Sequence, residues 1–167
     1  MERGERLRLG TRLRDLTRFA GAMLTVGGDI ALAADLGADG VHLGGGQHGR
    51  IGAARSRLGP AALVGVSAHT CGEVADAAAE GADYATLSPI FASASKPGYG
   101  PALGPAAIRE AAGRGMPVVA LGGITGVTLG ACRAAGAAAA AVMGGPMRAA
   151  DSAAETRRLI KAWQDAA

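Results

Sequence analysis

The loop at residues 88–96 carries the densest chemistry in the chain. It sets two hydroxyls, Ser93 and Ser95, beside one ammonium, Lys96, and holds no carboxylate. Hydroxyl donors around an uncompensated cation can wrap an anion; a lysine solvated in a loop is the competing reading. Only two lysines, Lys96 and Lys161, occur among 17 basic residues, so this ammonium stands out in a chain that otherwise uses arginine. Two glycine pairs, Gly122-Gly123 and Gly144-Gly145, follow the last two β-type runs. Such pairs let backbone N–H groups surround a phosphate. One pair alone reads as a tight turn; two pairs after consecutive strands favour an anion site. Ser67 and His69 lie at the end of another β-type run, where either could be structural, and His42 alternates with apolar neighbours, which favours packing for it.

These residues need a scaffold, and the pattern supplies one. Short β-branched or alanine-rich runs at residues 23–26, 40–43, 63–66, 84–87, 118–121 and 139–143 alternate with amphipathic segments at 29–36, 49–57, 72–80, 105–113, 128–134 and 152–164. That alternation predicts βα units around a parallel sheet. Three helical segments end alike, at Gly37-Ala38-Asp39, Gly81-Ala82-Asp83 and Gly136-Ala137, each glycine suited to the left-handed turn that closes a helix. In parallel sheets chemistry gathers at the C-terminal ends of strands, which is where the polar and glycine-rich residues above fall.

Composition narrows the function classes. A chain of 167 residues, 49% hydrophobic, can bury a core and reads as one domain over 1–167. The longest apolar stretch, residues 134–147, is broken by glycines and is too short to span a bilayer, and no secretory signal opens the chain. We read it as cytoplasmic and free of membrane partners. The net charge of +3 is spread among acidic residues, and 3% aromatic content leaves few platforms for bases, so nucleic acid is not an expected partner. Cys71 and Cys132 fall in different helical segments without CxxC spacing, which points to two buried thiols. Small phosphorylated molecules remain as ligands.

Three stretches go further: GADGVHLG at 37–44, VGVSAHTCGEVADAAAEGADYATLSPIFASASKPGYGPALG at 64–104, and PVVALGGIT at 117–125. In this order and spacing they resemble the thiamine phosphate synthase/TenI family, whose members carry a GVSAHT-type strand, a GPIFPTPTK-type loop, a PVVAIGGI strand and a final VVSAI-type phosphate loop. The resemblance implies a TIM (β/α) barrel, here with about six of eight βα units and the first one to two strands missing. Residues absent upstream, an oligomer covering the sheet edges, or loss of the complete fold would each account for that. It implies a transferase that joins hydroxymethylpyrimidine pyrophosphate to a thiazole phosphate, giving thiamine phosphate and pyrophosphate. Ser67, Ser93, Ser95 and Lys96 would then hold pyrophosphate, with Lys96 and Ser67 catalytic, and Gly122, Gly123, Met143 and Gly144 would hold the thiazole phosphate.

The resemblance also implies Mg²⁺, held by two aspartates. Their positions read Gly28 and Gln47 here, with Asp29 one residue beyond the first. Arg3 takes the place of a basic residue that helps bind pyrophosphate. The usual serine of the final loop is Gly144, and Pro89 stands where TenI-type thiazole tautomerases carry a histidine, which points away from tautomerase chemistry. The alternative function is a non-catalytic, phosphate-binding paralogue.

Overall fold

The computed structural model describes residues 1–93, 98 and 100–166. Its strands are β1 (Thr25–Gly27), β2 (Gly40–Leu43), β3 (Leu63–Ala68), β4 (Tyr84–Leu87), β5 (Val118–Leu121) and β6 (Ala139–Ala141). Its helices are α1 (Arg3–Phe19), α2 (Ile30–Asp35), α3 (Ile51–Leu58), α4 (Cys71–Ala79), α5 (Gly104–Ala112), α6 (Leu129–Ala134), α7 (Gly144–Arg148) and α8 (Ser152–Asp165), with a 3-10 turn at His48–Arg50. The sheet order follows the chain, β1-β2-β3-β4-β5-β6, and the β1–β2, β2–β3, β4–β5 and β5–β6 pairs are parallel. The six strands and their alternation with helices are those the sequence predicts.

The chain divides into two compact units, Met1–Val66 with Glu80–Asp83, and Ser67–Ala79 with Tyr84–Ala167. In the first, Ile30, Leu32, Ala33, Val41, Leu43, Ile51, Ala54 and Val64 are buried. Gly40 is needed there because a Cβ would stand 2.0 Å from the Leu63 carbonyl oxygen across the β2–β3 ladder. The predicted left-handed glycines are present, with φ of 53° at Gly37, 88° at Gly81 and 94° at Gly136.

The aspartate after two of those glycines does more than end a turn. The Leu24 N–H donates to Asp39 Oδ2 at 2.7 Å, and Arg14 forks onto the same carboxylate. The Val64 N–H likewise donates to Asp83 Oδ2 at 2.6 Å, with Arg55 at 2.7 Å. Each carboxylate ties the start of one strand to the start of the next. The Arg14 guanidinium beside Asp39 holds its carboxyl below the usual range.

The second unit has a core of small side chains: Ala68, Ala77, Ala85, Ala111 and Ala120 fill in around Leu87, Ile90, Ile108 and Val118. Here α4 packs on β4 and α5, and α8 on α6 and α7. Asp151 caps α8 by accepting the Ala154 N–H at 2.8 Å.

Several boundaries differ from the sequence reading, and two helices are new. β1 begins at Thr25, and Met23, expected in the strand, is exposed. β6 ends at Ala141 because Met143 adopts φ −133°, ψ −57° and Gly144 opens α7, a helix the sequence did not announce. α1 was not anticipated either: among its 17 residues only Gly10 is buried, against Leu36, so no apolar stripe marks it.

Candidate functional site

In the second unit, the C-terminal ends of β3, β4 and β5 meet through their loops. Ser67 lies inside β3, half-buried, and not beyond its end. His69 follows the strand. Its Nδ1 stands 2.9 Å from the Ser88 carbonyl oxygen and 3.4 Å from Ser88 Oγ. The His69 backbone N–H donates to Glu73 Oε2, and the Ser88 N–H donates to the Ala68 carbonyl at 3.0 Å. The imidazole thus latches the exit of β4 to the exit of β3.

On its other side the same loop is pressed onto β5. Ile90 N–H donates to Leu121 O at 2.9 Å and Phe91 N–H to Gly122 O at 3.0 Å. Gly122 and Gly123 both have positive φ, 93° and 64°. A Cβ on Gly122 would stand 2.9 Å from Pro89 Cα, and one on Gly123 2.5 Å from the Ala92 carbonyl oxygen. No residue with a side chain fits either place without moving backbone. The turn beyond is closed by Thr128, whose Oγ1 accepts the Thr125 N–H at 2.8 Å and contacts the Gly123 carbonyl at 3.3 Å. Sequence reasoning missed this pair, although hydroxyls three residues apart at a helix start are a capping signal.

Ser93 is half-buried next to that loop; Ser95 and Lys96 lie outside the described residues. Met143 is largely exposed, and the room a side chain on Gly144 would need is taken by Arg148, whose guanidinium nitrogens stand 2.6 Å from the built Cβ. An apolar cavity of about 280 Å³ under α8, walled by Leu129, Val142, Leu159, Ile160 and Trp163, has no titratable group in its lining.

In the first unit the loops after β1 and β2 form a separate polar group. Gly28, at φ 67°, lies beside Gln47: a Cβ at position 28 would stand 3.6 Å from Gln47 Oε1. That oxygen accepts the Gly44 N–H at 3.2 Å. Arg50 Nη1 donates to the Gly28 carbonyl at 3.1 Å. Asp29 is occupied twice, Oδ1 capping α2 through the Leu32 N–H at 2.9 Å and Oδ2 pairing with Arg6 at 3.0 Å. The backbone N–H of Leu32, ahead of Arg6, lowers the Asp29 pKa. Arg3 pairs with Asp35. His42 is half-buried on β2, and burial lowers its pKa.

The family model for thiamine monophosphate synthase matches residues 1–145. The chain belongs to that family. Thiamine-phosphate synthase of Chromobacterium violaceum is 43% identical over 157 residues, covering 93% of this chain and 75% of that one. The protein of the same name from Methanoculleus marisnigri is 41% identical over 148 residues, covering 88% and 70%. Thiamine phosphate pyrophosphorylase from Pyrococcus furiosus superimposes with a TM-score of 0.86 at 26% identity, covering 99% of this chain and 79% of that one. A 3-hexulose-6-phosphate synthase, at TM-score 0.70 and 22% identity, shares the fold. Within the thiamine monophosphate synthase family, then, the expected α/β barrel architecture and the resemblance read from the motifs both hold.

The donor set does not fit a magnesium ion at the positions the motifs indicate. Gly28 has no side chain, the Gln47 oxygen is a neutral ligand already accepting a hydrogen bond, and both Asp29 oxygens are engaged. Among the described residues no group of three His, Cys, Asp or Glu side chains converges. A hard cation prefers carboxylate oxygens, which these positions lack. No described helix is long and apolar enough to cross a membrane.

Proposed function

We propose that this chain is a thiamine phosphate synthase that acts on small phosphorylated substrates, hydroxymethylpyrimidine pyrophosphate and a thiazole phosphate. One observation carries the reading: in a chain of this family the Gly122-Gly123 turn at the end of β5 has both glycines at positive φ and no room for a Cβ, a backbone form that lets main-chain N–H groups approach an anion. That turn, with Met143 and Gly144 after β6, would take the thiazole phosphate. Ser67, Ser93, Ser95 and Lys96 would take the pyrophosphate.

In the reaction the methylene C–O bond to pyrophosphate breaks, and the electron pair leaves with pyrophosphate. The cation left behind is stabilised by the pyrimidine ring, and the thiazole nitrogen lone pair forms the new C–N bond. No proton transfer is needed in those two steps, so hydroxyl and ammonium donors aimed at the leaving group contribute more than a general base. The Lys96 ammonium, whose segment has no carboxylate to neutralise it, matches the charge that develops on the leaving oxygen. His69 contributes by position, holding Ser88 and the loop that leads to Ser93 against β3.

A second reading, a phosphate-binding protein without turnover, is favoured by Gly28 and Gln47 at the two metal-carboxylate positions. β1 and β6, the end strands of the sheet order, support a homo-oligomer in either case. The test is formation of thiamine phosphate from both substrates by the purified chain and by Lys96→Ala. Product that depends on Lys96 supports the synthase. Thiazole phosphate binding without product supports the second reading.

A further inference from the structure

The loops after β1 and β2 hold the two positions where the family resemblance expects metal-binding aspartates, and the structure brings those positions together. Gln47 Oε1 lies within van der Waals distance of a side chain at 28, so the geometry of a paired site survives while both carboxylates are gone. In their place stands a cation. Arg50 donates one N–H to the Gly28 carbonyl at 3.1 Å and has no carboxylate partner among the described residues. A guanidinium has five N–H donors in a planar fork suited to phosphate oxygens, and one is used here. The neighbouring Asp29 does not oppose an anion, because Arg6 matches its charge and the start of α2 uses its other oxygen. Space is available: a Cβ added at Gly27 or Gly46 would meet nothing within 4 Å.

The charge balance follows. Two carboxylates with one divalent cation sum to zero and attract a diphosphate through the metal. A neutral glycine, a neutral carboxamide and one guanidinium sum to plus one and need no metal. We propose that the loops after β1 and β2 form a metal-free diphosphate site in which the Arg50 guanidinium takes the role that the family assigns to a magnesium ion. The site rests on the synthase reading only for the class of its ligand, a diphosphate, and its chemistry is testable with inorganic pyrophosphate alone.

The experiment is calorimetric titration of the purified chain with inorganic pyrophosphate, once in excess EDTA and once in millimolar Mg²⁺. Binding in EDTA is expected, no tighter when Mg²⁺ is added. Arg50→Ala, with an unchanged far-ultraviolet circular dichroism spectrum, should weaken it about ten-fold, and Arg50→Lys less, since an ammonium keeps charge but loses the fork. The triple variant Gly28→Asp, Gln47→Asp, Arg50→Ala should bind pyrophosphate more tightly with Mg²⁺ than in EDTA. Binding by the unaltered chain that requires Mg²⁺, no pyrophosphate binding in either buffer, or equal affinity in folded Arg50→Ala would each overturn the proposal. Loss of the synthase activity with EDTA-resistant, Arg50-dependent binding intact would remove the synthase reading and leave this site standing.

Discussion

The turn after β5 and the turns after β1 and β2 are both glycine-rich, yet they are held by different things. At Gly122 and Gly123 the main chain of Pro89–Ala92 presses so close that a Cβ would meet backbone atoms at 2.9 Å and 2.5 Å. At Gly28 the nearest atom is the end of a flexible side chain, 3.6 Å away, and at Gly46 nothing lies within 4 Å. A turn packed against backbone depends on glycine. A turn that faces only the end of a side chain can change its neighbours without disturbing the strands beneath it.

The largest expected effect tests the first half of that contrast. Gly122→Val should destabilise the fold by about 3 kcal/mol or more, because both the positive φ and the contact with Pro89 Cα resist it. Gly28→Ala should cost about 1 kcal/mol, the left-handed backbone penalty alone. Urea unfolding of the two variants reads the difference directly, and equal losses would break the comparison.

Lys96→Ala comes next. Turnover should fall roughly 100-fold, the scale of losing one charged donor to a developing anion, with stability unchanged. An unaltered rate constant would move the leaving-group role elsewhere.

The carboxylate latches respond to acid. Asp39 has a folded pKa below its unfolded value, so its stabilisation is complete above about pH 4 and is lost as pH falls through the lower folded value. Asp39→Asn should cost about 1 to 2 kcal/mol at pH 7, a cost that vanishes once the pH is well below the folded value. A pH series of urea midpoints for both proteins should converge in acid; parallel curves would show that the charge is not what matters.

The smallest effect sharpens the role of His69. His69→Asn places an amide near the Nδ1 position and should keep KM for the pyrimidine substrate within about three-fold. His69→Ala should raise it further with little change in kcat for saturated enzyme. A fall in kcat alone in both variants would mean that the imidazole touches the reacting groups and is not a positioning residue.

Much of this was readable before any coordinates. The six β-type runs and the glycines at 37, 81 and 136 are local signals, since strand pattern and left-handed caps depend on neighbours in sequence. α1 escaped because Leu7, Leu9, Leu13 and Leu16 are interleaved with arginines and stay at least partly exposed, which leaves no core-facing stripe. Asp29 was legible as a carboxylate beside a metal position but not as a helix cap already paired with Arg6. The adjacency of Gly28 and Gln47 and the approach of Arg50 are tertiary facts, and no spacing rule announces them. Ser93 was placed beside its loop by pattern alone, while Ser95 and Lys96 rest on the sequence.

The Gly-Ala-Asp turn has a further consequence at its third occurrence. After Gly37 and Gly81 an aspartate clamps the start of the preceding strand, but after Gly136 the corresponding residue is Ala138, joined to Val118 by a main-chain bond of 2.9 Å with no carboxylate to add. The segment leading into β6 therefore has one fewer tether than its two counterparts. In amide hydrogen exchange it should open first and most often, which sets the breathing of the Gly144-Gly145 segment beyond β6 apart from the stiffer turn beyond β5.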